Sequence, residues 1–457
     1  MKKMKTTKKV FLIVAIACVL ALGVTVAAIR KIATTDKLGE AISLGNQYLS
    51  EMNYDMAIRS YTEALALNPV DKNALHGLAK SYTGAGDTEK AKDIYRNELG
   101  STTDIIILED YTDLLEKEKD YIDLIIELDK LIELEDDDKY YDKKEEIITQ
   151  LLLQHERHDY SESGTLAIAL NGSGVNTRGS NMLGQLGTET ALRDTRVTES
   201  FAPVAFPATA AKVYAWRNIT AVIDNTGSVW MAGNNRASQR GDGMADIMPD
   251  GQWTQITGVS GIVKLAGTST TTFALDGQGR VWYTGEGYGE TWTDTWQLYD
   301  TANRYLDIEC KNGTLTMLSA DGRLFTREIW TSYSAQDYEL GNDVVMFTQD
   351  DYHVWLDSNG IIYTDYYGMD FPQEWKVSED SDLMKPTVTV RDMAFVYENG
   401  TALFILDDAG TLYRISDGQS APVTAVSAVQ EIYSCRGKCV VLTESGYTLL
   451  DSNGNIV

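Results

Sequence analysis

Side chains that could bind a metal ion or perform acid–base chemistry are few and widely spaced in this 457-residue sequence. Its histidines and cysteines show no zinc-ligand spacing; they are His76, His155, His158, His353, Cys18, Cys310, Cys435 and Cys439. Cys435 and Cys439 could form a disulfide across a hairpin or remain two thiols. No Gly-x-Ser-x-Gly, His-Glu-x-x-His or phosphate-binding motif occurs. The sequence therefore predicts neither an enzyme nor a bound cofactor or metal.

Two Asp-Ser-Asn-Gly tetrapeptides, beginning at Asp357 and Asp451, could each start a calcium-binding loop. Neither is followed by the bidentate glutamate that such a loop needs. Both lie where a β-hairpin is expected to turn, so we interpret them as turns.

Aromatic side chains on loops are the most informative functional feature, because protein interfaces and sugar platforms both use them. The segment from Tyr288 to Tyr299 is rich in glycine and aromatic residues, and further aromatics follow comparable hairpins. The candidate binding residues are Tyr288, Trp292, Trp296, Tyr299, Trp330 and Tyr333, with Tyr363, Tyr366 and Tyr367 after a later hairpin. The alternative for Trp292 and Trp296 is packing inside the core, which we predict for Trp230 and Trp282.

The chain carries a net charge of −27, and 43% of its residues are hydrophobic. That hydrophobic fraction is ordinary for a folded protein. A strongly acidic surface repels phosphate backbones, so nucleic acid is not expected as a partner.

The N-terminal segment has the pattern of a membrane anchor. Residues 1–9 form a basic tail with five lysines, and residues 10–29 are uncharged. Twenty residues make about 30 Å of helix, which matches a bilayer core. The lysines place the tail in the cytoplasm and the bulk of the chain outside the cell membrane. A cleaved signal peptide and a lipoprotein signal at Cys18 are the alternatives, and both also export the chain.

Residues 36–158 have helical periodicity and resemble the tetratricopeptide repeat family. One register of a roughly 34-residue repeat places a leucine and small, aromatic and proline residues at the expected positions; they are Leu44, Gly45, Tyr48, Ala57, Tyr61, Ala64 and Pro69. A second repeat begins near Lys72, and the pattern then decays. The resemblance implies a short concave groove for an extended peptide, in which Asn46 and Lys80 are the candidate ligand-binding residues.

Residues 162–457 change to two-residue alternation with frequent glycine. Seven hairpins of the form strand, polar turn, Gly, strand recur, with their glycines 36 to 53 residues apart. Such spacing is typical of a β-propeller with one blade per repeat, here seven blades. A β-sandwich followed by an independent sheet is the alternative.

The run Gly179-Ser180-Asn181-Met182-Leu183-Gly184-Gln185-Leu186-Gly187 resembles the signature of the regulator of chromosome condensation family of seven-bladed propellers. A weaker copy runs from Gly233 to Gly241. Eukaryotic members bind chromatin or act as exchange factors for small GTPases, and an exported acidic chain fits neither role. The sequence thus predicts a multi-domain protein with a transmembrane helix, tetratricopeptide-like helical hairpins and an all-β propeller. We expect an extracytoplasmic scaffold that binds other proteins or peptides; the alternative is a carbohydrate or cell-envelope binding protein.

Overall fold

The computed structural model describes residues 35–100, 102–152, 157–189, 196–245, 251–288, 291–329, 337–378, 383–397 and 400–457, and for Glu98, Gly287, Tyr288 and Thr291 only the backbone. The predicted basic tail at 1–9 and transmembrane helix at 10–29 lie outside these residues. Within the described ranges, no helix is both long enough and apolar enough to cross a bilayer.

The described N-terminal part is helical, as the periodicity predicts. Residues 35–50 are helical (α1), and the following helices are α2 (Tyr54–Leu67), α3 (Lys72–Ala85), α4 (Thr88–Asp93, continued by a π-helical turn over Ile94–Glu98), α5 (Ile105–Glu118), α6 (Tyr121–Leu134) and α7 (Asp138–Leu152). The Asp71 side chain caps α3 by accepting a hydrogen bond from the Ala74 N–H. Gly86 ends the same helix in the left-handed conformation, with φ of 81°.

The first three helices pack around Tyr61, which is fully buried. A Cβ atom added at Gly45 or Gly77 would lie 2.7 or 2.2 Å from the Tyr61 ring, so both positions need glycine for this close approach. The Tyr61 hydroxyl donates to Asn46 Oδ1 at 2.7 Å. Helical hairpins are thereby established, whereas membership of the tetratricopeptide family remains an expectation from the sequence. The chain divides into two compact units, with the boundary in the sequence between Tyr141 and Asp142.

The second unit contains seven antiparallel sheets in chain order. Their strands are β1 (Tyr160–Ser163), β2 (Leu166–Asn171), β3 (Gly174–Ser180) and β4 (Val197–Pro203) in blade 1; β5 (Ala210–Trp216), β6 (Ile219–Asp224), β7 (Val229–Gly233) and β8 (Thr254–Gln255) in blade 2; β9 (Ile262–Gly267), β10 (Thr271–Asp276), β11 (Val281–Tyr288) and β12 (Thr291–Leu298) in blade 3; β13 (Tyr305–Lys311), β14 (Thr314–Ser319), β15 (Leu324–Glu328) and β16 (Tyr338–Gly341) in blade 4; β17 (Val344–Gln349), β18 (His353–Asp357) and β19 (Ile362–Thr364) in blade 5; β20 (Val390–Val396), β21 (Ala402–Asp407), β22 (Leu412–Ser416) and β23 (Gln419–Pro422) in blade 6; and β24 (Glu431–Cys435), β25 (Lys438–Thr443) and β26 (Gly446–Leu450) in blade 7.

The seven sheets close into a ring. First strands of successive blades contact one another, as β1 does with β5, β9 with β13 and β20 with β24. Blade 1 packs against blade 7 through Tyr160 and Ala167, which contact Val440 and Leu442 in one buried cluster. This closure confirms the seven-bladed propeller and excludes a sandwich followed by a separate sheet.

In blades 2, 3, 5 and 6 the Gly turn is held by an aspartate at the end of the second strand. In blade 5, Asp357 Oδ1 accepts from the backbone N–H groups of Asn359 and Ile361 at 2.9 and 2.8 Å. Gly360 follows with a φ of 76°, which favours glycine. Asp451 accepts backbone N–H groups in the same way. Both Asp-Ser-Asn-Gly segments are therefore turns, as predicted, with their carboxylates engaged by the chain itself.

The same turns also hold the two tryptophans that were predicted to pack in the core. Trp230 and Trp282 lie on third strands and are only partly buried. Each indole Nε1 donates to the turn aspartate of its own blade, Asp224 or Asp276, at 2.9 Å. Both indoles pack against clusters of buried residues, as predicted, while the polar edge of each ring is held at the turn.

The signature loops after Gly179 and Gly233 have matching geometry. Asn181 Oδ1 accepts from a backbone N–H five residues later at 2.9 Å, and so does Asn235 Oδ1. Gln185 and Gln239 each accept from a backbone N–H two residues earlier, at 2.8 and 3.0 Å. All four side chains are almost fully buried. The asparagine and glutamine side chains of the signature therefore stabilise the loops.

Candidate functional site

Strand order defines two ends of the propeller. Each blade is an antiparallel meander, so connections from first to second and from third to fourth strands gather at one end. We call this end the loop face, and the other end the opposite face. The loop face carries the signature loops and the hairpin between β11 and β12.

A cavity of 790 Å³ lies on the channel axis at the loop face. Its wall includes the turns after the first strands of blades 1, 2, 4 and 7, represented by Gly164, Arg217, Asn312 and Arg436. Because the lining comes from residues 158 to 436, the cavity exists only in the closed ring. Sequence patterns predicted the hairpins, but they did not indicate this cavity, which several blades line together.

A partly buried charge cluster lies at the wall of this cavity. Lys264 Nζ lies 2.5 Å from Asp307 and 3.9 Å from Glu309. Burial acts to lower the pKa of Lys264, but Asp307 and Glu309 raise it above its ordinary value. Burial in turn raises the pKa of Glu309. The cluster is thus a paired, desolvated network that fixes the inner strands of blades 3 and 4 relative to each other.

Three stacked rings lie in the wall of the same cavity. His158 lies between Tyr214 and Tyr433, with both ring centroids 4.4 Å from its own. Its Nδ1 lies 2.6 Å from the Val213 carbonyl oxygen, so Nδ1 carries the proton that is donated. Burial lowers the pKa of His158 to about 3. This histidine therefore stays neutral across the physiological range and serves packing rather than proton transfer.

The predicted aromatic residues separate into exposed, buried and undescribed groups. Trp292 is 63% exposed, and its Nε1 lies 3.4 Å from the Ala237 carbonyl oxygen. Tyr288 ends β11 at the loop face, with only its backbone described. Trp330 and Tyr333 lie outside the described residues.

Trp296 and Tyr299 are buried, at 7% and 8% exposure, so the expectation of accessible side chains is corrected. Trp296 packs in the core cluster of blades 2 and 3 and donates from Nε1 to the Arg240 carbonyl oxygen at 3.1 Å. The Tyr299 hydroxyl donates to Asp337 at 2.6 Å. Strand β12 carries Trp296 into the interface with the preceding blade, whereas Tyr299 follows the strand and contacts Arg327 and Asp337 of blade 4.

A tyrosine cluster also lies at the loop face, on blades 5 and 6. Tyr352, Tyr366 and Tyr397 are partly buried, with ring centroids 4.7, 5.0 and 5.3 Å apart in the three pairings. Tyr367 beside them is completely exposed. Tyr363, by contrast, stacks on Trp355 at 5.7 Å and donates to Asp357 in the turn. The loop face thus presents aromatic surface at two places around the cavity.

The candidate groove residues of the helical unit have partners within that unit. Asn46 accepts from Tyr61, as described above, and Lys80 Nζ lies 2.9 Å from Asp110. His76 shares the same carboxylate at 2.7 Å. Burial acts to raise the pKa of Asp110, but His76 and Lys80 lower it below its ordinary range. Lys80 would have to leave Asp110 to bind a peptide carboxylate.

The fold and the cavity define a seven-bladed β-propeller preceded by a helical region. No protein-family model matches the chain, and no curated protein sequence matches it significantly. It is similar to the crystal structure of human WBSCR16, with 14% identity, 62% of this chain and 85% of that chain covered, and a TM-score of 0.49. Prp20p from Saccharomyces cerevisiae is similar with 14% identity, 65% and 83% coverage and a TM-score of 0.46. BamB from Moraxella catarrhalis follows with 11% identity, 64% and 80% coverage and a TM-score of 0.34. The assignment of the fold rests on the seven sheets themselves.

Proposed function

We propose that this protein is a non-catalytic protein-interaction scaffold whose propeller binds a partner protein or peptide at the loop face. The observation that carries the proposal is the 790 Å³ cavity at that face, with Trp292 63% exposed in the surrounding loops. A cavity of this size accommodates several side chains of a partner loop. Interface energy concentrates in such pockets and in rigid aromatic anchors.

The arrangement also provides a rigid frame for those groups. The first strands are fixed by buried clusters and by the Lys264 network, so the hairpin tips around the cavity are held in place. Binding to a rigid face loses little conformational entropy on the propeller side. Acidic net charge makes nucleic acid an unsuitable partner.

The test compares capture of a cellular partner by matched variants of the full chain. After cross-linking in the native host, we expect Trp292→Ala and Tyr367→Ala to reduce the yield of the cross-linked partner by about tenfold, the effect of losing roughly 1.4 kcal/mol of binding. Gln278→Ala, in an exposed turn between β10 and β11, is the control on the opposite face. Equal yields from all variants would contradict the proposed face.

A carbohydrate or cell-envelope ligand is the second candidate, favoured by the exposure of Trp292 and Tyr367. Flat aromatic rings stack on sugar faces and need no deep pocket. A glycan array separates the two functions. Strong binding to a defined glycan, lost in Trp292→Ala, would favour the carbohydrate function over the scaffold.

Membrane attachment and an extracytoplasmic position are proposals that rest on residues 1–31 alone. Protease added to intact cells should digest the chain beyond Lys31. Protection of the propeller from that protease would contradict the orientation. Release of the protein into the soluble fraction by a deletion of residues 10–29 would support the anchor.

A further inference from the structure

The wall of the central cavity is richer in cations than the rest of this acidic protein. The basic lining residues are Arg217, Lys264, Lys311 and Arg436, and the acidic ones are Glu162 and Glu309. Both lysines are paired, Lys264 with Asp307 and Lys311 with Asp350. The two arginines occupy the hairpin tips at the cavity mouth.

These arginines flank one small hairpin tip. Arg436 lies in the β24–β25 turn of blade 7, Gly164 in the β1–β2 turn of blade 1, and Arg217 in the β5–β6 turn of blade 2. We call this set the arginine arc. A Cβ atom added at Gly164 would meet no atom within 4 Å, so the space above the middle tip is open.

The two guanidinium groups differ in how they are held. Arg436 Nη1 donates to the Gly164 carbonyl oxygen, which orients its guanidinium across the arc. The Arg217 backbone N–H donates to Ser163 Oγ at 2.8 Å, which fixes its turn. Across the described ranges, the Arg217 guanidinium makes no hydrogen bond or ion pair, and the residue is exposed.

The backbone at both arginines is unfavourable for a residue with a long side chain. Arg217 has φ of 51° and Arg436 has φ of 46°, in the left-handed region that glycine occupies without strain. The corresponding tip of blade 4 has Asn312 at φ of 48°, and asparagine tolerates this region. Strain kept at two positions of one surface favours a role for the two side chains in binding.

We propose that the arginine arc binds a carboxylate on an acidic segment of the partner, an inference that rests on the proposed function. Guanidinium groups bind carboxylates through paired, charge-assisted hydrogen bonds. Glu162 and Glu309 in the same wall disfavour a doubly charged phosphate more than a singly charged carboxylate. The cavity behind the arc receives the neighbouring residues of the segment.

The experiment measures binding of two matched peptides to the full chain at low ionic strength. The first is a glycine peptide with three glutamates and blocked termini, and the second has glutamines in their place. We expect the glutamate peptide to bind at least about tenfold more tightly, with the difference lost at high salt. Equal affinities, or no detectable binding of the glutamate peptide, would overturn the inference.

The double variant Arg217→Gly/Arg436→Gly tests whether the arc is responsible. Glycine suits both turns, so the melting temperature should not fall while the preference for glutamate disappears. Arg304→Ala, between β12 and β13 on the opposite face, is the control and should keep the preference. If the double variant still prefers the glutamate peptide, the arginine arc is not the binding site. If glutarate or galacturonate binds as tightly as the peptide, the arc binds small acids, and the inference of an acidic peptide segment is overturned.

Partner capture distinguishes failure of this inference from failure of the proposed function. Capture lost in Trp292→Ala but unchanged in the double variant would overturn the arginine arc and leave the proposed function standing. Peptide discrimination without any effect of Trp292→Ala on capture would support the arc and count against Trp292 as an anchor for the partner.

Discussion

Trp292 and Trp296 are four residues apart on β12, yet the structure predicts opposite results for their replacement. Trp296 is 7% exposed, packs in the core cluster of blades 2 and 3, and donates to the Arg240 carbonyl oxygen. Truncating a buried tryptophan to alanine costs about 3–5 kcal/mol, from lost burial and the cavity left behind. Trp292 is 63% exposed, so its truncation should change the free energy of unfolding by less than about 1 kcal/mol.

A third variant separates the contribution of apolar burial at Trp296 from that of its hydrogen bond. Trp296→Phe keeps most of the apolar ring but leaves the Arg240 carbonyl oxygen without the indole N–H. Loss of that hydrogen bond should cost about 1–2 kcal/mol, less than the alanine variant. The order of stabilities is therefore wild type and Trp292→Ala, then Trp296→Phe, then Trp296→Ala.

The assay is urea unfolding of the full chain followed by circular dichroism at the β-sheet minimum. Unchanged slopes with shifted midpoints would show that stability, and not compactness of the unfolded state, has changed. By heat, Trp296→Ala should lower the melting temperature by at least about 6 °C. If Trp296→Ala and Trp292→Ala unfold within about 0.5 kcal/mol of each other, the assignment of Trp296 to the core is wrong.

Three further replacements test the helical unit, the turns and the channel. Gly77→Ala should lower the free energy of unfolding by about 1–3 kcal/mol, measured by helical circular dichroism, because its Cβ would lie 2.2 Å from a buried tyrosine ring. The control Gly39→Ala, whose Cβ would have no atom within 4 Å, should instead raise the free energy of unfolding by about 0.5–1 kcal/mol. Asp224→Ala should cost about 2–4 kcal/mol in a urea titration by leaving its N–H donors unpaired, and the neighbouring exposed Asn225→Ala about 0.5 kcal/mol or less. Burial lowers the pKa of His158 to about 3, so between pH 6.5 and 3 only the unfolded state gains its proton and stability falls as pH falls. His158→Phe should remove that slope from the unfolding free energy, and an unchanged slope would contradict a neutral histidine.

The fold was largely predictable because its determinants are local. Each turn aspartate and its glycine close a hairpin within a few residues, so the Gly-spaced pattern predicted seven sheets. Gly45 and Tyr61 likewise showed where helices pack closely. In both cases the interacting residues are near neighbours in the sequence or in one repeat.

The site was less predictable because its determinants are distant in sequence. Trp296 is buried by Arg240 and Gly241, which come from a loop in the preceding blade. Alternation along a strand indicates which side a residue faces, but not how far along the strand the next blade covers it. Arg217 and Arg436 are brought to one cavity by ring closure, and nothing in their local sequence marks that proximity.

The central claim is that the loop face binds a partner protein, and site-specific photo-cross-linking in the native host tests it most directly. A benzophenone amino acid would replace Met182 or Asn218, which are exposed on the loop face and are not proposed anchors, and Gln278 or Asn225 in exposed turns of the opposite face. The structure predicts a discrete cross-linked protein from the first pair and none from the second. Cross-links from the opposite face alone, or equally from both faces, would contradict the account.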